Sequence, residues 1–413
     1  MLPTIPVQPH RLEDYAADTG EAAVECLREA ARPLKGARLL HLNSTAFGGG
    51  VAELLYTQVP LMHDLGIEAT WAVLEGSDEY FAVTKDVHNG LQGADIAWTP
   101  EKESIYWERM RANAAELDAD FDVLFVHDPQ PAGLIRVLEE AGARTGAWAW
   151  RCHIDMSAPN AAVWSFFEPL VNRYDAAVFT MEDFAQPGIR GPRVAFIPPS
   201  IDPTSSKNHE LHEETIREIL VAYDIDTERP IVSQVSRFDP WKDPLGVIDA
   251  YRAARERIPG LQLIMAGSLA SDDPEGIQYL DLTEEHRASD PDIHLFTNLQ
   301  NVGNIEINAF QRASAVVIQK STREGFGLVV SEGMWKGRPV IGGNVGGIRL
   351  QIEDGMNGFL VGSVDECAER MVRLLEDEEL RSRMGRAAHE RVRERFLSTR
   401  ELEDYCRLLS EVR

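Results

Sequence analysis

With 413 residues, 44% of them hydrophobic and 26% charged, the chain has enough apolar material for two sizeable cores, which excludes disorder as its main state. Its 41 basic and 67 acidic residues leave a formal charge of −26, which repels polyanions and argues against nucleic acid as a partner. No run of about 18 apolar residues occurs and the stretch from Met1 to Tyr15 lacks the apolar segment of a secretion signal, so neither a membrane span nor export is expected and the cytosol is the expected location.

The positive charge is lysine-poor: only Lys35, Lys85, Lys102, Lys207, Lys242, Lys320 and Lys336 accompany the arginines. Cys26, Cys152, Cys367 and Cys406 are far apart, without CxxC spacing, and are expected to be reduced and buried.

A helix is expected around Glu21 to Ala31, followed by a buried strand at Arg38-Leu-Leu-His-Leu, a glycine turn at Gly48-Gly49-Gly50 and a helix from Ala52 to Leu65. Apolar strand-like runs recur at Ala69 to Leu74, Val123 to Val126, Ala147 to Trp150 and Ala176 to Phe179, separated by segments of helical period. Strand and helix in alternation imply a parallel sheet. The segment from Ile197 to Asn208, rich in proline, serine and turn formers, breaks the pattern near mid-chain and reads as an interdomain linker. The alternation then restarts, with strands at Ile231 to Val235, Leu261 to Ala266, Ile293 to Phe296, Ala315 to Ile318 and Val340 to Ile341, and from Val364 onward the chain is helical. The expected fold class is α/β: two Rossmann-like parallel-sheet domains, 1–200 and 201–390, facing a cleft, with a last helix over 391–413 crossing back to the first domain.

Three stretches carry candidate chemistry. Asn43-Ser-Thr-Ala-Phe-Gly-Gly-Gly-Val-Ala-Glu joins a strand to a helix, and its Gly48, Gly49 and Gly50 let backbone approach an anion at the helix N-terminus. The spacing is neither GxGxxG nor a P-loop, and a plain tight turn would look the same. Ser236-Arg-Phe-Asp-Pro-Trp-Lys-Asp follows the strand that opens the second domain, so that Arg237 and Lys242 can neutralise a diphosphate; a solvated loop is the alternative. Arg323-Glu-Gly-Phe-Gly-Leu-Val-Val-Ser-Glu runs from a strand into a helix, placing Glu324 in the loop and Glu332 about two turns along the helix. Carboxylates accept hydrogen bonds from vicinal sugar hydroxyls, and Gly325 and Gly327 leave backbone N–H groups at the helix start for phosphate.

The two glutamates spaced Glu-x7-Glu, together with Arg237 and Lys242, resemble the retaining nucleotide-sugar glycosyltransferases of the GT-B fold. The resemblance implies that Glu324 binds the donor hexose, Glu332 the ribose hydroxyls, and Arg237 and Lys242 the diphosphate, with Gly325, Phe326, Gly327 and Leu328 forming the donor loop. Across nearly the whole chain a narrower likeness appears. The glycine loop, Val83-Thr-Lys-Asp-Val-His-Asn-Gly-Leu-Gln-Gly, His127-Asp-Pro-Gln-Pro, Trp150-Arg-Cys-His-Ile-Asp, Pro198-Pro-Ser-Ile-Asp and Phe238-Asp-Pro-Trp-Lys are similar to the trehalose glycosyltransferring synthase family. Such enzymes join the glucosyl group of an NDP-glucose to free glucose, and the related trehalose phosphorylases share much of the pattern. The likeness puts His153 against the donor sugar and the glycine loop of Gly48, Gly49 and Gly50 against the diphosphate. On its own, His153 would be a hydrogen-bonded histidine at a strand end. Glu75, Lys85, His88, Asn89, His127, Asp128, Gln130 and Asp155 are read as polar groups near strand ends of the first domain, where the acceptor glucose should sit.

Asp118-Ala-Asp120, Asp224-Ile-Asp226 and Asp290-Pro-Asp292 match a DxD metal motif only superficially, the first closing an acidic helix and the others lying in turns. His209-Glu-Leu-His212 lacks the zinc spacing of HExxH. No metal and no cofactor is expected to be required, since Arg237, Lys242 and the helix N-terminus can take the leaving-group charge, although magnesium can accompany the nucleotide. The expected partners are small molecules, NDP-glucose, glucose and trehalose, with no nucleic acid and no membrane; a homodimer is compatible with the sequence. The rivals are a phosphorylase, in which a ribose-binding Glu332 would have no purpose, a non-catalytic sugar-nucleotide sensor, and a nucleotide-sugar epimerase.

Overall fold

The computed structural model describes residues 1–47, 49–268 and 274–413. The chain divides into two compact α/β units, one made of Met1–Ser200 with Ser398–Arg413 and the other of Ile201–Leu397. The division falls inside the proline-rich segment. That segment is held in a turn, where the Asp202 carboxylate accepts from both the N–H and the hydroxyl of Thr204 and the Asn208 amide donates to the Asp202 carbonyl.

In the first unit, strands β1 (Arg38–Asn43), β2 (Glu68–Val73), β3 (Val123–His127), β4 (Ala147–Arg151), β5 (Ala176–Phe179) and β6 (Arg193–Phe196) form one parallel sheet in the order β2-β1-β3-β4-β5-β6. Parallel strands need crossover helices, which cover both faces and turn the inner strands into continuous apolar runs. β3 and β4 are accordingly buried at every position. Alternation divides the side chains between two cores. Leu40, Leu124, Val126, Trp148 and Trp150 pack on one face, and Leu39, Phe125, Ala149 and Val178 on the other. Four polar residues interrupt the second face: His41, Asn43, His127 and Arg151, all buried.

The helix Ser398–Val412 belongs to this unit. Leu402, Tyr405, Cys406 and Leu409 form one helical stripe that packs in the core shared with the helix Glu21–Ala31. Burying each leucine there is worth about 1.5–3 kcal/mol. The return to the first unit comes at Ser398 rather than at 391, because Phe396 and Leu397 still pack in a core of the second unit and the Phe396 carbonyl accepts from Ile201 N–H.

The second unit repeats the plan with β7 (Ile231–Val235), β8 (Gln262–Gly267), β9 (Ile293–Thr297), β10 (Val316–Gln319), β11 (Val340–Gly343) and β12 (Gly358–Val361), in the order β12-β11-β10-β7-β8-β9. Its strands have the same all-parallel register. Two strands were not visible in the sequence, β6 and β12. Each has four residues at a sheet edge and carries only a short apolar run, Val194-Ala-Phe and Phe359-Leu-Val, beside proline- or glycine-rich turns, and β6 is buried at none of its positions. Cys26 also departs from expectation: it lies exposed on the helix Glu21–Ala31, whose core stripe is formed by Val24, Leu27 and Ala31, whereas Cys152, Cys367 and Cys406 are buried. Among the described residues no helix is long and apolar enough to cross a membrane.

Candidate active site

In the second unit the loops leaving the C-terminal ends of β7, β10 and β11 hold the candidate residues, at the edge of a parallel sheet where ligands bind. The β7 loop is fixed by two aspartates. Asp239 accepts from the N–H of Lys242 at 3.1 Å. Asp243, left-handed at φ +49°, caps the helix Pro244–Arg255 through the N–H of Gly246 and pairs with Lys320. The Gln234 amide holds the Lys242 carbonyl at 2.8 Å. These contacts direct the Lys242 ammonium to Glu324 Oε2 at 2.6 Å, an oxygen that also accepts from Gln319 Nε2 and Ser321 Oγ at 3.3 and 3.2 Å. Arg237 reaches Asp239 at 3.3 Å but keeps its side chain 54% exposed, and burial pushes the Asp239 carboxyl up.

Gly327 adopts φ +82° as the N-cap of the helix Leu328–Trp335, a conformation that requires glycine, and its Cα side lies against Glu324. Gly325 is held by Gly347: a Cβ on Gly347 would lie 2.5 Å from the Gly325 carbonyl oxygen and from Phe326 Cα. The Phe326 ring is turned into the core beside Phe396, so only its backbone can meet a donor. Leu328 is partly buried at the first turn of the helix. Glu332 is enclosed. Its side chain has 0% exposure, with Oε1 held by Lys207 at 3.1 Å and Oε2 by Gln311 at 3.2 Å. A ribose can reach this carboxylate only if Lys207, 18% exposed, moves aside.

In the first unit Gly48 lies outside the described residues. Gly49 is the extended N-cap and Gly50 the first residue of the helix Gly50–Asp64, and a Cβ added at Gly49 would meet nothing within 4 Å, so the helix start is open. His153 follows β4. Its Nε2 lies 3.1 Å from His127 Nδ1, and His127 Nε2 lies 3.0 Å from Nδ1 of His41. Burial holds all three imidazoles below the usual histidine range, His41 down to about 3. The Arg151 guanidinium adds to the effect at His127 and His153; it is fully buried and its three nitrogens have no hydrogen-bond partner among the described residues.

Asp128, left-handed at φ +63°, accepts the His153 N–H at 2.8 Å. Burial raises its carboxyl from 3.8 to about 6. A carboxyl raised on folding contributes its full stability below the unfolded value and loses it as pH rises through the folded value. Asp128→Asn, which keeps the acceptor and tolerates the left-handed backbone, should therefore melt higher than the parent above pH 6, with the gap closing below 3.8. Thermal melts across that range test this; equal melting temperatures at all pH values would contradict it.

The acceptor candidates scatter. Glu75 is exposed in the loop after β2, its backbone clasped by Asn113. Lys85, His88 and Asn89 do not sit at strand ends: all three lie in the helix Asp78–Leu91, where their i, i+3, i+4 spacing gives them one shared face. Tyr80, Val83, Val87 and Leu91 supply the buried stripe of this helix. Asp155 is buried and accepts from Ser157 N–H at 3.0 Å, while Gln130 leaves a buried side-chain oxygen without a partner among the described residues. The aspartates discounted as metal ligands hold turns and ion pairs: Asp120 with Arg38, Asp226 with Glu228 N–H, Asp290 with Arg255 and Asp292 with Arg229. Sequence reasoning missed Lys207, Gln311, Gln319, Ser321 and Gly347, which show only as partners of the two glutamates. It also missed His41, whose signal was a histidine inside an apolar strand.

Two α/β units with six-stranded parallel sheets, carrying a cation–carboxylate loop cluster on one of them, place the molecule among glycosyltransferases of the GT-B fold class. The solved UDP-forming α,α-trehalose-phosphate synthase of Burkholderia xenovorans has the same fold, with a TM-score of 0.72 over 90% of this chain and 99% of that one at 16% identity. The family model for the trehalose synthase N-terminal domain matches residues 41–186, and that for glycosyl transferases group 1 matches 215–391. The trehalose synthase of Thermococcus litoralis is 48% identical over 97% of both chains. A trehalose phosphorylase of Pleurotus pulmonarius is 28% identical, over 91% of this chain and 57% of that one. The chain belongs to the trehalose synthase family.

Proposed function

We propose that the protein transfers the glucosyl group of a nucleoside-diphosphate glucose to free glucose, reversibly and with retention, forming α,α-1,1-linked trehalose. The observation that carries the reading is the buried Lys242–Glu324 pair, with Arg237 exposed on the same loop as Lys242. Lys242 and Arg237 stabilise the diphosphate as the bond to the anomeric carbon breaks. The glucose oxygen bonds to that carbon on the same face, and its proton passes to the departing diphosphate oxygen. Glu324 accepts sugar hydroxyls. One of its oxygens already takes three donors, which suits a fixed acceptor better than the nucleophile of a double displacement. His153 and the open helix start at Gly49 and Gly50 serve the donor; Glu75, Lys85, His88, Asn89 and Asp155 are assigned to the acceptor. Metal has no part in these steps.

A second reading, phosphorolysis of trehalose, is favoured by one observation: Glu332, the group that would mark a nucleoside, is fully enclosed. An assay of purified protein with UDP-, ADP- or GDP-glucose and glucose decides between them. Glucose-dependent release of nucleoside diphosphate with an α,α-linked product by NMR supports the synthase. Glucose 1-phosphate from trehalose and phosphate, without that turnover, replaces it with the phosphorylase.

A further inference from the structure

The three histidines of the first unit form a chain whose far end is a sulfur. His41 Nε2 lies 3.3 Å from Met62 Sδ, on the helix Gly50–Asp64. A thioether has no proton, so this contact is a hydrogen bond only if His41 carries its proton on Nε2. A neutral imidazole has one N–H, which leaves His41 Nδ1 as an acceptor for a proton on His127 Nε2. His127 Nδ1 is then an acceptor, and the proton of the last contact resides on His153 Nε2. The ring planes of His127 and His153 are 16° apart and their centroids 5.5 Å apart, a separation that with the 3.1 Å N···N distance fits an edge-to-edge N–H···N bond. Reversing the chain would bring two lone pairs together at Met62 and give His153 an outward N–H instead. Doubly protonated rings are disfavoured by burial and by the Arg151 charge.

We infer that Met62, His41 and His127 are positioning residues that fix the tautomer of His153, so that its Nδ1, which has no partner among the described residues, is presented as an acceptor for a hydroxyl and not as a donor to an anionic oxygen. His153 therefore reads a sugar O–H and repels a phosphate oxygen. The hydroxyl as ligand rests on the proposed glucosyl transfer; the tautomer chain does not.

Long-range 1H–15N spectra of the full-length protein carrying 15N-histidine test it. In the parent, His41, His127 and His153 should all show protonated Nε2 and bare Nδ1. Met62→Leu removes the one proton acceptor that His41 Nε2 has among the described residues while keeping the side chain's volume. The tautomer ratio at His153 should then move toward Nδ1–H by about fivefold to tenfold, the effect of one net hydrogen bond. In His127→Phe, which cuts the chain, Met62→Leu should no longer affect His153. A protonated Nδ1 on His153 in the parent overturns the inference even if no variant folds, and so does a Met62→Leu protein in which His41 changes and His153 does not. Kinetics separate the two readings: if the spectra hold and NDP-glucose is not turned over, glucosyl transfer fails and the chain stands. If both hold, kcat/KM for NDP-glucose across the Met62→Leu and His127→Phe variants should fall in proportion to the fraction of His153 that loses its Nε2–H form, and a kcat/KM unchanged in a variant that has lost that form removes the hydroxyl from His153.

Discussion

Lys242→Ala should lower kcat by about 10²–10³ with little change in KM for the nucleotide sugar, the usual result of removing one fixed charge from the place where leaving-group charge develops. The substitution also breaks a pair that is 16% and 10% exposed. Because Gln319 and Ser321 stay on Glu324, the stability loss should fall at the low end of the roughly 3–5 kcal/mol typical of breaking a buried pair. Arg237→Ala separates the two effects. With more than half of its side chain in solvent, Arg237 should affect turnover while leaving the melting temperature where it was. Steady-state kinetics and a thermal melt on each variant check both; a rise in KM with intact kcat would remove the diphosphate clamp from these residues.

Gly347→Ala should disable the protein without touching any charged group. The new methyl would lie 2.5 Å from two backbone atoms of the Glu324–Gly327 loop, and no rotamer can relieve a backbone clash. The loop must shift, taking with it the carbonyl of Glu324, which now accepts from Gly347 N–H at 3.1 Å. Overpacking of this kind costs about 1–3 kcal/mol, and a displacement of about 1 Å at the donor carboxylate should cost on the order of 10² in kcat. Gly362→Ala is the control, since its methyl would make only an ordinary contact, 3.7 Å from the Glu366 carboxylate. If Gly347→Ala melted and turned over like Gly362→Ala, the loop would be far softer than its contacts indicate.

The central strands were legible because parallel strands covered on both faces are written as apolar runs, and each of the ten runs read from the sequence corresponds to a strand. Edge strands β6 and β12 carry only three-residue runs, beside proline- or glycine-rich turns, and were passed over. The same asymmetry governs the candidate site. Arg237, Lys242 and Glu324 could be found because loops after parallel strands carry chemistry and their residue types announce it. Glu332 could be found too, but its enclosure could not, for Lys207 and Gln311 lie 125 and 21 positions away along the chain and no local pattern links them to it. Gly347 and Ser321 act through backbone proximity and hydroxyl placement, which a one-dimensional sequence does not encode. His41 stood in plain view as a polar residue in an apolar strand, but its importance depends on Met62 and His127, contributed by other elements.

The helix Ser398–Val412 puts the last residues of the chain into the core of the unit that begins with the first. During synthesis the first 200 residues leave the ribosome long before that helix does. Until it arrives, the apolar face around Phe125 and the helix Glu21–Ala31 lacks Leu402, Tyr405, Cys406 and Leu409, and Ser200 lacks its Glu401 partner. The second unit, continuous from Ile201 to Leu397, has no such wait. The usual N-terminal-first order of folding during synthesis therefore does not apply to these cores: the later-translated unit can complete its core first, while the earlier one waits for residues 398–412.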